Sequence, residues 1–348
     1  MNPSEKMAGV VLEEHGGPEN LLYKTNIESP KLKEDEIKIQ VEYCGLNHLD
    51  IWLRKGGTGD KLTLPRIPGS DVVGIVKDVG GDVKNLRTGD RVILYPGKGC
   101  GQCEACSQGR ESACKFFEVL GYNNDGGYAE YLTIQGKRAL RIEGDYIEQW
   151  AGVPVAYVTA WNALVKKGKM TAKDTVVIWG ASGGLGYAAL SIAKSFGAKV
   201  IGIVSTKDKS DFLKERFPDV EFVIRASGVG KAVRALTNNE GADLVLDHVG
   251  KKTFNESLKM LKRGGRLSFC GITSGPIAEV DLRLIFGKQL TITGSWMGDL
   301  DDFNEVVKFL LRNKTFPHID KIFPLKDVNK AQEWLEEGKH VGKIVLKI

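Results

Sequence analysis

The sequence predicts an α/β protein of two domains, a β-rich one and a doubly wound parallel sheet. Three observations carry this. The chain has 348 residues, more than one hydrophobic core usually organises. Its first 150 residues hold short β-branched runs broken by turn signals. Beyond residue 155 apolar strands alternate with helical patterns, and the first of those strands runs into a glycine-rich loop.

The early runs are Glu36–Tyr43, Val72–Val79 and Arg91–Leu94, separated by turns such as Gly80-Gly81-Asp82 and Thr88-Gly89-Asp90. This spacing suggests a Greek-key or partly open barrel. Thr175–Trp179 (TVVIW) is a continuous apolar run, as expected of a strand buried on both faces. Tyr187–Phe196 has helical periodicity and stops at Gly197. Lys199–Val204, Glu221–Ile224, Leu244–Asp247, Arg266–Cys270 and Leu290–Thr293 are the further strands. After Gly298 come two helical stretches, 301–312 and 327–337, then a last strand, Lys343–Ile348, expected to return to the first domain. The domains are therefore 1–156 with 300–348, and 157–299.

Composition narrows the class. Hydrophobic residues make up 42% and charged residues 27%, with a net charge of +5. Basic residues are dispersed, so the clustered footprint of a nucleic-acid binder is missing. There is no apolar run long enough for a membrane span, and the start MNPSEKMAGVV lacks a secretory pattern. A cytoplasmic protein is expected.

The segment 99–115 reads GCGQCEACSQGRESACK, placing Cys100, Cys103, Cys106 and Cys114 at C-x2-C-x2-C-x7-C spacing. In a reducing compartment such a cluster binds metal more often than it forms disulfides. Four thiolates close a tetrahedral zinc site with no open position, so this zinc should be structural. Of the other two cysteines, Cys270 reads as core, and Cys44 stands four residues before His48.

The loop GASGGLG (180–186) follows a strand and opens a helix, the context a dinucleotide fingerprint needs. Ala181, Gly183 and Gly186 take the G-x-G-x-x-G positions, with Ser182, Gly184 and Leu185 between them. Gly183 lets the backbone approach a pyrophosphate, and the helix N-terminus favours its charge. At the end of the second strand an NAD site would carry a carboxylate. Here Val204 stands there, followed by Ser205, Thr206, Lys207 and Lys209. Hydroxyls and ammonium groups suit a 2′-phosphate, so NADP(H) is the expected cofactor. Val249, Gly250, Gly271, Ile272 and Ser295 follow later strand ends, where cofactors lie in such sheets.

GDRV (89–92), the cysteine lobe, GGYAEY (126–131), GASGGLG and GADLVLDHVG (241–250) occur in one order. Together they resemble the medium-chain dehydrogenase/reductase superfamily over essentially the whole chain. The resemblance implies a GroES-like catalytic domain, a Rossmann coenzyme domain, and a homodimer or homotetramer paired near Leu290–Met297. Alcohol dehydrogenases of this superfamily hold a second, catalytic zinc. At its ligand positions this chain has Asn47 in Gly45-Leu46-Asn47-His48-Leu49-Asp50, Ser70 in Pro68-Gly69-Ser70-Asp71, and Val155. None is a competent zinc ligand beside thiolate and imidazole, so one structural Zn2+ and no catalytic zinc are expected.

Without a Lewis acid, a conjugated alkene is a better hydride acceptor than a simple ketone, because hydrogen-bond donors can stabilise the enolate. The string GLNHLDIW with PGSD looks most like acryloyl-CoA reductase-type members. The leading expectation is an NADPH-dependent reductase of a short 2-enoyl-CoA, with a small-molecule acyl-CoA substrate. The alternatives are an NADPH:quinone oxidoreductase, a zinc alcohol dehydrogenase with atypical ligands, and a non-catalytic NADPH-binding protein. By resemblance, Asn47 positions the nicotinamide ribose or the substrate carbonyl and Asp50 orients that network. His48 contacts the cofactor phosphate or ribose, Thr159 touches the nicotinamide, and Lys343 reaches the cofactor phosphates.

Overall fold

The computed structural model describes residues 5–57, 59, 61–225 and 228–348. The chain divides into two compact units. The first holds residues 1–156, 299–310 and 316–348, and the second holds 157–298 and 311–315.

The first unit opens with an antiparallel pair, β1 (Lys6–Leu12) and β2 (Leu21–Glu28). Next come β3 (Glu36–Gly45), helix α1 (His48–Arg54), β4 (Asp71–Val79) and β5 (Arg91–Leu94). Along β3, Ile37, Ile39 and Val41 alternate inward, the period of a half-buried strand. β6 (Gly97–Lys98) and β7 (Glu118–Val119) pair across the cysteine lobe, which carries the short helix α2 (Glu104–Ser107). β8 (Tyr131–Gln135), β9 (Ala139–Arg141), α3 (Ile147–Trp150) and α4 (Pro154–Trp161) follow.

The second unit alternates strand and helix. Its elements are β10 (Thr175–Ile178), α5 (Gly184–Ser195), β11 (Lys199–Val204), α6 (Lys207–Arg216), β12 (Glu221–Ile224) and α7 (Val229–Leu236). β13 (Ala242–Asp247), α8 (Phe254–Met260), β14 (Leu261–Phe269), α9 (Leu282–Lys288) and β15 (Thr291–Gly294) complete it. The six strands form one parallel sheet in the order β12-β11-β10-β13-β14-β15. The order reverses on either side of β10, the topology of a doubly wound dinucleotide fold. Val177, Ile201, Val245 and Leu267 on the strands and Leu258 on α8 belong to its apolar core.

The chain then forms α10 (Leu300–Asn313), β16 (Ile319–Pro324), α11 (Val328–Glu336) and β17 (Lys343–Lys347). The last strand joins the first unit. It lies in a seven-stranded sheet ordered β16-β17-β3-β4-β5-β9, with β8 also on β3. β16, which the sequence does not suggest, pairs parallel to β17. Two registers converge in this sheet. Val345 faces Gly45 across β17 and β3, and Gly45 faces Asp71 across β3 and β4. The beginning of β17, the end of β3 and the start of β4 therefore meet at one place. Among the described residues no helix is long and apolar enough to cross a membrane.

Candidate functional site

Three strands of the first unit deliver a buried polar cluster. Lys343 opens β17 and is 3% exposed. Its ammonium donates to the Leu46 carbonyl at 2.6 Å, to Asn47 Oδ1 at 2.7 Å and to Asp71 Oδ2 at 2.9 Å. The other Asp71 oxygen accepts from the Val155 amide at 2.7 Å. Asn47, Val155 and Asp71, the neighbour of Ser70, are thus brought together. An ammonium group has three hydrogens and no lone pair. Lys343 spends all three inside this cluster, so the phosphate contact expected of it is replaced by a buried ion pair with Asp71. The charge of the ammonium within 2.7 Å of Asn47 Oδ1 also opposes a divalent cation there. Amide, hydroxyl and alkyl side chains beside a lysine do not fit a catalytic zinc.

Asp50 lies in the first turn of α1 and is buried. Its Oδ2 accepts from the Asn47 backbone amide at 2.7 Å, fixing the start of the helix. Burial raises its carboxyl to about 7, against the opposing pull of the Asn47 amide and the Lys343 ammonium. Tyr128 and Cys44 share this interior, and burial pushes both well above their ordinary ranges. Cys44 lies near the end of β3 in a strand conformation and is buried, whereas His48 is exposed at the first residue of α1. The two do not form a ligand pair. Among the described residues the four lobe cysteines are the only group of three or more His, Cys, Asp or Glu placed to hold a metal.

In that lobe the ligand sulfurs of Cys100, Cys103, Cys106 and Cys114 all lie within 4.8 Å of one another. Cys103 Sγ and Cys114 Sγ are 3.7 Å apart. A tetrahedron with Zn–S bonds of about 2.3 Å has an edge of about 3.8 Å. The donor set and its size fit zinc. Backbone amides of Cys100 and Phe116 point at Cys114 Sγ from 3.4 and 3.3 Å, and amides of Gln102 and Cys103 hold the Cys100 thiol down to about 6. Such donors favour thiolate. The lobe is tied to its own unit by Arg138, 3% exposed, whose guanidinium meets Glu111 at 3.0 Å.

In the second unit the glycine loop turns from β10 into α5. A Cβ on Gly186 would meet the Gly180 carbonyl at 2.1 Å, so the helix can pack on the strand only with glycine. A Cβ on Gly183 would meet nothing closer than 3.6 Å. Gly183 caps α5, and Gly184, Leu185 and Gly186 form its first turn. Ser182 is buried beside them. This open, amide-lined helix start fits a pyrophosphate.

The remaining coenzyme candidates follow strand ends of the same sheet. Ser205 and Thr206 are exposed past β11, and the Thr206 hydroxyl accepts from the Lys209 amide at 3.4 Å, capping α6. Lys207 leans on Asp211 at 2.7 Å. Val249 and Gly250 follow β13, Gly271 and Ile272 follow β14, and Ser295 follows β15. Ser295 Oγ is buried without a hydrogen-bond partner. Thr159 is buried in α4, 3.7 Å from Met297 Sδ.

The sequence alone does not single out two further residues here. Asp247 is fully buried and organises the turn after β13. Its Oδ1 accepts from the Val249 amide, the Gly250 amide and the Thr253 hydroxyl, and its Oδ2 from the Ser257 hydroxyl, at 2.7 to 3.1 Å. Arg225 is exposed just past β12, and its amide donates to the Val204 carbonyl at 2.7 Å. That bond seats a cation next to the end of β11. The available signal for Arg225 is a basic residue at the end of the third strand, one strand beyond the usual acidic position.

A dinucleotide sheet joined to a β-domain with a four-thiolate lobe defines a nicotinamide-dependent oxidoreductase scaffold. Residues 33–144 match the family model described as alcohol dehydrogenase GroES-like domain, and residues 184–312 match that described as zinc-binding dehydrogenase. An alcohol dehydrogenase of Geobacillus stearothermophilus is 34% identical over 327 residues, covering 92% of this chain and 94% of that one. A solved NAD-dependent alcohol dehydrogenase superposes with a TM-score of 0.92 at 33% identity, covering 98% of this chain and 100% of that chain. A crotonyl-CoA carboxylase/reductase superposes with a TM-score of 0.89 at 25% identity, covering 99% and 88%. The chain belongs to the medium-chain dehydrogenase/reductase superfamily, zinc-type alcohol dehydrogenase-like.

Proposed function

We propose that this oxidoreductase is an NADPH-dependent reductase of an activated C=C bond, its substrate a short 2-enoyl-CoA such as acryloyl-CoA, and that it works without catalytic zinc. The observation that carries the reading is that Asn47, at one of the positions where the resemblance places a catalytic-zinc ligand, is hydrogen-bonded to Lys343 of a buried Lys343–Asp71 ion pair. A carbonyl reduced by direct hydride attack needs its developing alkoxide stabilised strongly, a task suited to a metal. Hydride addition to the β-carbon of an enoyl thioester sends the electron pair to the carbonyl oxygen, where neutral donors suffice. The α-carbon then takes a proton, with water as the donor. The resemblance to a crotonyl-CoA carboxylase/reductase supports an enoyl thioester.

Bound NADPH supplies the hydride. The Gly183–Gly186 turn receives its pyrophosphate, and Asp247 holds the turn after β13 in shape. At the end of β11, Val204 offers no carboxylate to a ribose 2′-hydroxyl, while Ser205, Thr206, Lys209 and Arg225 offer hydroxyls and positive charge to a 2′-phosphate. Coenzyme choice is set at this strand end rather than by the fold shared with NAD-dependent relatives. The roles of His48 and Thr159 as cofactor contacts rest on the resemblance alone.

The protein is proposed to pair with a second copy of itself through β15. That strand is the edge of its sheet, and Leu282, Phe286 and Trp296 around it are 68%, 73% and 51% exposed. An open edge flanked by apolar side chains suits a partner. The function is tested by assaying the purified protein with NADPH against acryloyl-CoA, crotonyl-CoA, a quinone and an aldehyde. Preferential turnover of the enoyl-CoAs is expected. Turnover of the quinone or aldehyde alone would overturn the substrate assignment.

A further inference from the structure

Asn47 carries two chemically opposite atoms on one amide, and Lys343 decides which way they face. The ammonium can only donate, so the atom 2.7 Å from it is the amide oxygen. The amide nitrogen is then committed to the other side. There Asn47 Nδ2 is buried without a hydrogen-bond partner. The arrangement is stiff. Lys343 is held by Leu46 and Asp71 as well, and Asp71 is held in turn by the Val155 amide. A second orphan, Ser70 Oγ, is buried beside Asp71 in the chain and also lacks a partner. A buried donor that the protein itself leaves unpaired is completed by water or by a ligand.

We infer that Asn47 Nδ2 is the donor for the substrate's carbonyl oxygen and that Lys343 is the positioning residue that keeps it so. The inference rests on the proposed function only in taking the substrate to carry a carbonyl group. Lys343 itself touches no substrate, because its three hydrogens are already engaged. Its contribution is orientation: with lysine present, the amide cannot rotate by half a turn and offer its oxygen instead. The developing negative charge of the transition state would then meet a donor already in place.

The sharpest test is Asn47→Asp. It preserves the size of the side chain and the contact with Lys343, and it replaces the donor by an acceptor. With the zinc-loaded enzyme, kcat should fall by about 100-fold or more, as for loss of one such donor, while the NADPH Kd stays unchanged. The second test replaces the ion pair by the neutral double variant Lys343→Gln with Asp71→Asn, because removing one charge alone strands the other. Gln can donate or accept, so it no longer dictates the amide's direction. A kcat reduced by about 10-fold or more with little change in NADPH Kd is expected. Lys343→Arg, which can only donate, should recover most of the rate. Crotonyl-CoA and butyraldehyde serve as substrates, since both carry a carbonyl oxygen. Turnover of butyraldehyde alone sinks the enoyl-thioester reading and leaves the donor test intact on that substrate. Wild-type kcat in Asn47→Asp, or in the folded double variant, overturns the inference. A wild-type enzyme inert to both substrates overturns both.

Discussion

Replacing Asp50 by Asn should stabilise the protein in a way that depends on pH. The wild-type carboxyl is 1% exposed, and burial lifts it from its ordinary value of 3.8 to about 7. A carboxyl with a raised folded-state value keeps its proton on folding while the unfolded chain has already lost it. Stability is therefore lost as pH climbs from about 4 towards 7, and the loss levels off above 7. The interval corresponds to about 4 kcal/mol at its plateau, at about 1.4 kcal/mol per pH unit. The Asn side chain remains neutral throughout and its amide oxygen can still accept from the Asn47 backbone. Guanidinium unfolding midpoints of both proteins, compared between pH 5.5 and 8.5, read the difference directly. The gain of Asp50→Asn over wild type should grow through pH 7 and then hold constant. A gain independent of pH, or one that shrinks as pH rises, would refute the burial argument.

Three further outcomes are expected from the geometry. Cys106→Ser should lower the zinc content measured by atomic absorption and depress Tm, because metal binding by such a lobe contributes several kcal/mol to folding. Gly183→Ala should lower Tm by only a few degrees, the cost of Ala at the α5 N-cap, since its Cβ would meet no protein atom closer than 3.6 Å, yet raise the NADPH Kd by about 10-fold or more by intruding on the pyrophosphate. Arg225→Ala should raise the KM for NADPH by about 10-fold and leave that for NADH nearly unchanged, because only the former carries a 2′-phosphate for the guanidinium to meet.

The parts of the molecule legible in the sequence are those whose signal is local. The cysteine spacing places four sulfurs within one short lobe, and the glycine spacing builds a turn between one strand and one helix. Both read directly because each motif is its own neighbourhood. The parallel strands are visible as apolar runs for the same reason. The cluster at Lys343 is not legible. Its members stand 296 and 272 residues apart in the chain, and only the pairing of β17 with β3 and of β3 with β4 brings them together. A lysine at the start of a terminal strand looks like a surface charge or a phosphate ligand until its register is known. Asp71 likewise looks like the companion of Ser70 rather than the counter-ion of a distant ammonium. Asp247 is hidden inside a motif whose glycine draws the eye. β16 gives no clear strand signal because Ile319–Pro324 mixes charge, aromatic and proline without clean alternation.

Chemistry at Asn47 and Lys343 with no metal bound there is the central claim. Zinc quantified per chain in a preparation at full specific activity, with NADPH and crotonyl-CoA as substrates, tests it most directly. One zinc per chain, lost on substitution of Cys106 and unaffected by Asn47→Ala, is the predicted result. Two zinc ions per chain, with the second lost in Asn47→Ala, would contradict it.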